Sequence, residues 1–121
     1  MKMATIKSYT NREQSKKLAE FLSLESADMN YQHFVPDLLP EGYCISVDKV
    51  EYETDIPCWS LAALLNVLEF PKLEKDNIGD GKIGWMVSVY PNNCRYDSIW
   101  HDNPIDACVE MIVKLHELKL L

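Results

Sequence analysis

Asn103-Pro104-Ile105-Asp106-Ala107-Cys108-Val109-Glu110-Met111-Ile112-Val113-Lys114-Leu115-His116-Glu117-Leu118-Lys119-Leu120 carries the clearest local signals in the chain, and the rest of the fold follows from how it must be covered. Asn103 can accept from the free amides of a first helical turn, and Pro104 suits a position that needs no N–H. Asp106 places a negative charge at the positive end of the helix dipole. Ile105, Cys108, Val109, Ile112, Leu115 and Leu118 recur at steps of three and four, so the stretch predicts a helix over about 104–119. Ala107 and Met111 broaden its apolar face. Asp106, Glu110, Lys114 and Glu117 form a narrow polar stripe, with Glu110 four residues before Lys114, the favoured order for a surface pair. Truncation of either Glu110 or Lys114 is therefore expected to cost about 0.5 kcal/mol or less. Cys108, Ile112 and Leu115 should be buried against Leu61, Leu64 and Leu65 or against a sheet, and Leu118, Leu120 and Leu121 should dock on the domain or on a second copy.

Working outward, Asp55-Ile-Pro-Cys-Trp-Ser-Leu-Ala-Ala-Leu-Leu-Asn-Val-Leu predicts a second helix over about 57–68. Pro57 suits its first turn, Leu61, Leu64, Leu65 and Leu68 make its apolar stripe, and Pro71 ends it. A third, over about 11–22, follows from Thr10 as cap with Glu13 three residues on. His116, in the last turns of the C-terminal helix, suits interaction with that helix's carboxyl end. Ile83, Trp85, Val87 and Val89 alternate with Gly84, Met86, Ser88 and Tyr90. With a turn at Pro91-Asn92-Asn93 and a return through Cys94 to Trp100, this predicts an antiparallel hairpin over about 82–100. The alternation of Tyr43, Ile45 and Val47 admits a further strand at about 43–53. Residues 30–42, with Pro36 and Pro40, read as an ordered loop whose aromatics pack inward. Residues 72–82 read as a charged, turn-rich connection with a loop at Gly79-Asp80-Gly81. The expected fold is α+β: a small antiparallel sheet packed against three helices, with residues 1–121 forming one domain.

Composition narrows the function classes. Of the 121 residues 47% are apolar and 26% charged, ordinary values for a globular chain. No apolar run approaches the ~18 residues of a membrane span, and the first residues lack the apolar core of a secretory signal. A cytoplasmic protein with no membrane association is expected. Cys44, Cys58, Cys94 and Cys108 are widely spaced without a Cys-x-x-Cys pair, which argues against a zinc ribbon or a disulfide framework. The formal charge of −7 is uneven. Lys2, Lys7, Arg12, Lys16 and Lys17 lie near the start against Glu13 alone, while residues 18–55 hold nine acids against Lys49. An acidic body repels phosphate backbones and disfavours nucleic acid as a partner.

Catalytic signals are sparse. Cys58, placed at the start of the second helix, would gain thiolate character there, and His101 is its best partner in the sequence. A small Cys/His hydrolase centred on Cys58 and His101 is thus one reading, but no oxyanion donor accompanies it, and Cys58 reads better as structural. Adjacent His101 and Asp102 lack a third metal ligand at suitable spacing. Asp76-Asn-Ile-Gly-Asp-Gly lacks the acid that closes a calcium loop, since Val87 stands there. No nucleotide-binding glycine motif is present, and no cofactor is expected.

The remaining signal is aromatic. Trp85, Tyr90, Tyr96 and Trp100 fall on the expected hairpin and form a candidate interaction surface. Such a surface suits protein contact, or the stacking of single-stranded bases; the acidic body favours protein.

Three segments resemble a known family when taken together: Tyr9-Thr-Asn-Arg-Glu-Gln-Ser-Lys-Lys-Leu with Ser26-Ala-Asp-Met, then Ile56-Pro-Cys-Trp-Ser-Leu-Ala-Ala-Leu-Leu, then Asp106-Ala-Cys-Val-Glu-Met-Ile-Val-Lys-Leu-His-Glu-Leu. In that order they resemble short uncharacterised proteins of gut Bacteroides and their prophages or mobile elements. Members of that family tend to carry Ala at the place of Cys58, so the resemblance argues against a catalytic thiol there. The resemblance implies an origin and an architecture but no reaction. The expected role is that of a small cytoplasmic accessory protein, non-enzymatic, binding an unidentified protein partner or a second copy as a homodimer. The hydrolase and the single-stranded nucleic-acid binder are the alternatives.

Overall fold

The computed structural model describes residues 7–33, 43–46 and 55–121. Within them the fold is α+β, with three α-helices and two three-stranded antiparallel sheets. In chain order the elements are α1 (Arg12–Ala19), β1 (Met29–His33), β2 (Tyr43–Ser46), β3 (Ile56–Cys58), α2 (Leu61–Val67), β4 (Lys72–Gly79), β5 (Lys82–Val89), β6 (Tyr96–Asp97) and α3 (Pro104–Glu117). The sheets run β2-β1-β3 and β4-β5-β6.

The C-terminal helix forms as its sequence dictates. The Asn103 side chain accepts from the Asp106 amide at 2.8 Å, with Pro104 opening the first turn. Ile105, Ala107, Cys108, Met111, Ile112 and Leu115 are buried in one cluster with Leu64, Trp59, Val87 and Val89, and Leu61 and Leu65 pack against it. The helix ends on Lys119 at φ 59°. There the Lys119 amide reaches the His116 carbonyl and the Leu120 amide reaches the Leu115 carbonyl, the paired bonds of a left-handed C-terminal cap. Leu120 packs onto the core, whereas Leu118 and Leu121 stay about half exposed, 48% and 46%. His116 works through its ring as well as its position: it stacks flat on Phe21 at 3.9 Å and ties α3 to the segment that follows α1.

The polar stripe differs from expectation. Lys114 donates to the Asp97 carbonyl at 3.1 Å, and Glu110 turns to the Ile99 amide at 3.2 Å and to His101 Nε2 at 2.8 Å. The cause lies in β6. Ser88 pairs with Asp97, but Trp85 pairs with His101, so the returning strand holds one extra residue over that interval. Ser98 Oγ accepts from the Val87 amide, and the Ile99 amide, freed from the ladder, finds the Glu110 carboxylate. Glu110→Ala is therefore expected to cost about 1–2 kcal/mol in urea unfolding, above the allowance for a surface charge, because a hydrogen bond to a charged group is lost. A cost equal to that of Lys114→Ala would refute this role.

Four further boundaries move. The first helix is capped by Asn11 with Gln14 in a reciprocal box, not by Thr10. Thr10 is buried, and its hydroxyl serves the Trp59 amide and Ser15 instead. Residues 56–58 are a strand, not the opening of α2. Ile56 precedes a proline, which favours extended backbone, and the segment pairs with Met29–Tyr31 at the edge of its sheet, where Pro57 needs no donor. The helix starts at Leu61 behind Ser60, whose hydroxyl accepts from Ala63; Asp28 binds Ser60 through both its amide and its hydroxyl. Met29–His33, expected in a loop, is the central strand of the first sheet. Residues 34–42 and 47–54, and with them much of the loop expected at 30–42 and of the strand expected at 43–53, lie outside the described residues.

The stretch 72–79, expected as a connection, is the long partner of β5. Asp80 and Gly81 both have positive φ, 51° and 75°, as a two-residue hairpin turn requires. Lys7 ties the start of the described chain to α3: its ammonium lies 2.8 Å from Asp106, which also accepts from Gln14 and Asn103. Burial alone would raise the Asp106 carboxyl, but these three donors outweigh it and hold it below its ordinary range.

Candidate functional site

The residues singled out from the sequence fall in separate places. Trp85 and Tyr96 belong to the face of the second sheet that turns toward α3: Val87 and Val89 alternate with Trp85 on β5, and Tyr96 sits opposite Val89. Tyr96 packs on the core, and Trp85 lies under the Lys75 ammonium at 5.2 Å. Trp100 lies on the opposite face, where its ring and Ile78 cover Gly84 so closely that a side chain there would meet both. Tyr90 stands apart at the end of β5, 51% exposed, with the Arg95 guanidinium 5.9 Å from its ring. The four do not share one face, as the alternation along the strand implies for Trp85 and Tyr90.

Cys58 and His101 are likewise apart in their bonding. Cys58 lies in β3, fully buried, with Sγ 3.4 Å from the Thr10 carbonyl and 3.5 Å from the Thr10 hydroxyl. Burial pushes its thiol up, and the hydrogen bonds from Thr10 and Ser15 only partly oppose this. His101 pairs with Trp85 on β5 and is engaged by Glu110 of α3. Cys108, buried among apolar side chains, is pushed up to about 12. Cys94 is the exposed one of the three free thiols seen among the described residues. Iodoacetamide at neutral pH should accordingly alkylate Cys94 well ahead of Cys58 and Cys108, as read by peptide mass mapping; fast alkylation of Cys58 would restore it as a nucleophile. Among the described residues no three His, Cys, Asp or Glu side chains group to hold a metal ion.

A different place gathers exposed apolar groups. Where α2, β5 and α3 end together, a cleft of about 350 Å³ opens. Val67, Val89, Leu115 and Leu120 form its floor, the continuation of the core to the surface. Phe70, Tyr90 and Leu121 form its rim, exposed at 87%, 51% and 46%. Among the described residues Glu69 is the one charged side chain in the lining, and Asn92 adds an amide. Each element ends here through left-handed backbone: Phe70 at φ 47° after α2, Asn92 and Asn93 at 54° and 64° after β5, Lys119 at 59° after α3. Asp80 is the only other non-glycine residue of this kind among the described residues. For Phe70 this backbone is costly, because a bulky side chain gains nothing locally from it. Strain of this kind concentrates at functional positions.

Among the described residues the lining offers apolar contact, the Glu69 carboxylate, the Asn92 amide and the Tyr90 hydroxyl. Tyr90 was legible as an aromatic of the hairpin. Leu121 was expected to dock on the domain or on a second copy and instead stays half exposed at the cleft. Phe70 was not singled out; the one hint was Pro71, which disfavours helical backbone at the preceding residue and so pushes Phe70 out of the helix. Comparison with protein-family models, curated proteins and solved structures finds no match to this chain. No helix among the described residues is long and apolar enough to cross a membrane.

Proposed function

We propose that the protein is a non-enzymatic binding module that takes an apolar segment of another protein into the cleft between the ends of α2, β5 and α3. One observation carries this: Phe70 is 87% exposed and held at φ 47° on the rim of an apolar cleft. An aromatic ring left in water on strained backbone is a cost to the free protein that a bound partner would offset. Aromatic anchors beside an apolar floor are the usual centre of a protein contact. In this reading the chain is a cytoplasmic accessory protein of phage or mobile-element type, as its family resemblance implies.

The test is selection of randomised displayed peptides on the wild-type protein and on Phe70→Ser. Wild type should enrich peptides with a bulky apolar residue, and these should bind Phe70→Ser at least about ten-fold more weakly, the loss expected of an anchor. Circular dichroism of the variant should be unchanged. Equal enrichment on both proteins would remove the cleft as the binding site.

A further inference from the structure

The charge of the cleft narrows the partner. Glu69 is exposed, and among the described residues no cation pairs with it, although Lys7, Lys17, Lys72 and Arg95 all have acidic partners elsewhere. Among the described residues it is the only charged side chain in a lining whose other polar groups are the Asn92 amide and the Tyr90 hydroxyl, and the cation beside the rim, Arg95 over the Tyr90 ring, is already paired with Asp97. An apolar ligand carrying an anion would bring like charges together at that rim. A neutral one would leave Glu69 unpaired. A ligand with a cation beside its apolar anchor would pair with it, and the net charge of −7 would draw such a ligand in from solution. We infer that the cleft recognises a basic-hydrophobic peptide segment, a bulky apolar side chain flanked by Lys or Arg, with Phe70 and Tyr90 holding the anchor and Glu69 pairing with the cation. This rests on the binding reading above.

Fluorescence anisotropy with two labelled peptides, Gly-Lys-Leu-Trp-Lys-Gly and Gly-Glu-Leu-Trp-Glu-Gly, separates the two claims. The lysine peptide should bind about two- to five-fold more tightly than the glutamate peptide at low salt, a preference of the size expected for an exposed ion pair and weakened by added salt. Glu69→Gln should remove most of that preference. Glu13→Gln, on α1 and outside the cleft, changes the net charge equally and should leave the preference in place. Phe70→Ser should weaken both peptides.

If both peptides bind equally and both lose affinity in Phe70→Ser, the module reading stands and the basic-hydrophobic partner is refuted. Preference for the glutamate peptide refutes it as well, as does an equal effect of Glu13→Gln and Glu69→Gln, which would make the attraction a property of the whole surface. If neither peptide responds to Phe70→Ser, the binding module itself fails. If light scattering finds a wild-type dimer that Phe70→Ser dissociates, the occupant is a second copy.

Discussion

Trp59→Ala is expected to lower the free energy of urea unfolding by about 3–5 kcal/mol, the largest single loss in this protein. Trp59 is the largest of the fully buried side chains. It sits just past β3, between the first sheet and the helices, and its backbone amide is held by Thr10 Oγ1 at 3.1 Å. Its indole N–H reaches Ser26 Oγ at 3.0 Å, so the ring also fixes the turn that leads into β1. Alanine would leave a large cavity and strip that hydroxyl of its donor. Trp59→Phe keeps most of the packing and loses only the indole bond, so it should cost clearly less. Equal losses in the two variants would show that the hydrogen bond, not the ring, dominates. A loss in Trp59→Ala below about 1 kcal/mol, the size of an ordinary surface change, would mean that the core is not organised around this residue.

Ile112→Ala should follow with a loss of about 2–5 kcal/mol. Ile112 is completely buried at the middle of α3, in the same cluster as Leu64 on α2 and Val87 on β5. It therefore reports the packing of the helical layer on the second sheet, as Trp59 reports the junction with the first. The two lie in one cluster, so the double variant is the informative measurement. Additive losses would mean that the two halves relax separately; a smaller combined loss would mean that one cavity loosens both. Lys114→Ala, on the exposed side of the same helix, should change stability by about 0.5 kcal/mol or less, which controls for any general weakness of α3.

How much of this could be read in advance depends on where the stabilising information lies. The C-terminal helix was legible because all its signals are local: an Asn cap, a Pro in the first turn and an apolar stripe within eighteen consecutive residues. The first sheet was not. Met29–His33 has no strand-like alternation, and it becomes a strand because Ile56–Cys58 and Tyr43–Ser46 flank it, contacts far apart in sequence. The same pairing overrode the helical reading of Pro57. β4 was obscured by its charges, although Asp80-Gly81 before an alternating run is a hairpin signal that identifies its partner. The bulge in the returning strand left no mark in composition at all, and only the swing of Glu110 away from Lys114 reveals its effect. At the candidate site, the aromatic Tyr90 was visible as a type, but the exposure of Phe70 is a property of three chain ends meeting, which no local pattern encodes.

The charged composition of β4 has one more effect. Among the described residues this strand forms an edge of its sheet, with one side of its backbone unpaired. Two copies joining there about a dyad normal to the sheet would bring residues of equal parity face to face. Centred on Asp76, the dyad sets an acid against its own image; centred on Lys75, it sets lysine against lysine and Glu74 against Asp76; centred on Glu74, it sets Glu74 against itself, partly offset by Lys72 opposite Asp76. Shifting the axis to Leu73 or Asn77 avoids the clash but shortens the ladder. Among the described residues, the longest self-pairings of this edge are therefore the ones its charges disfavour most, which is how a charged strand at a sheet edge works against stacking copy on copy.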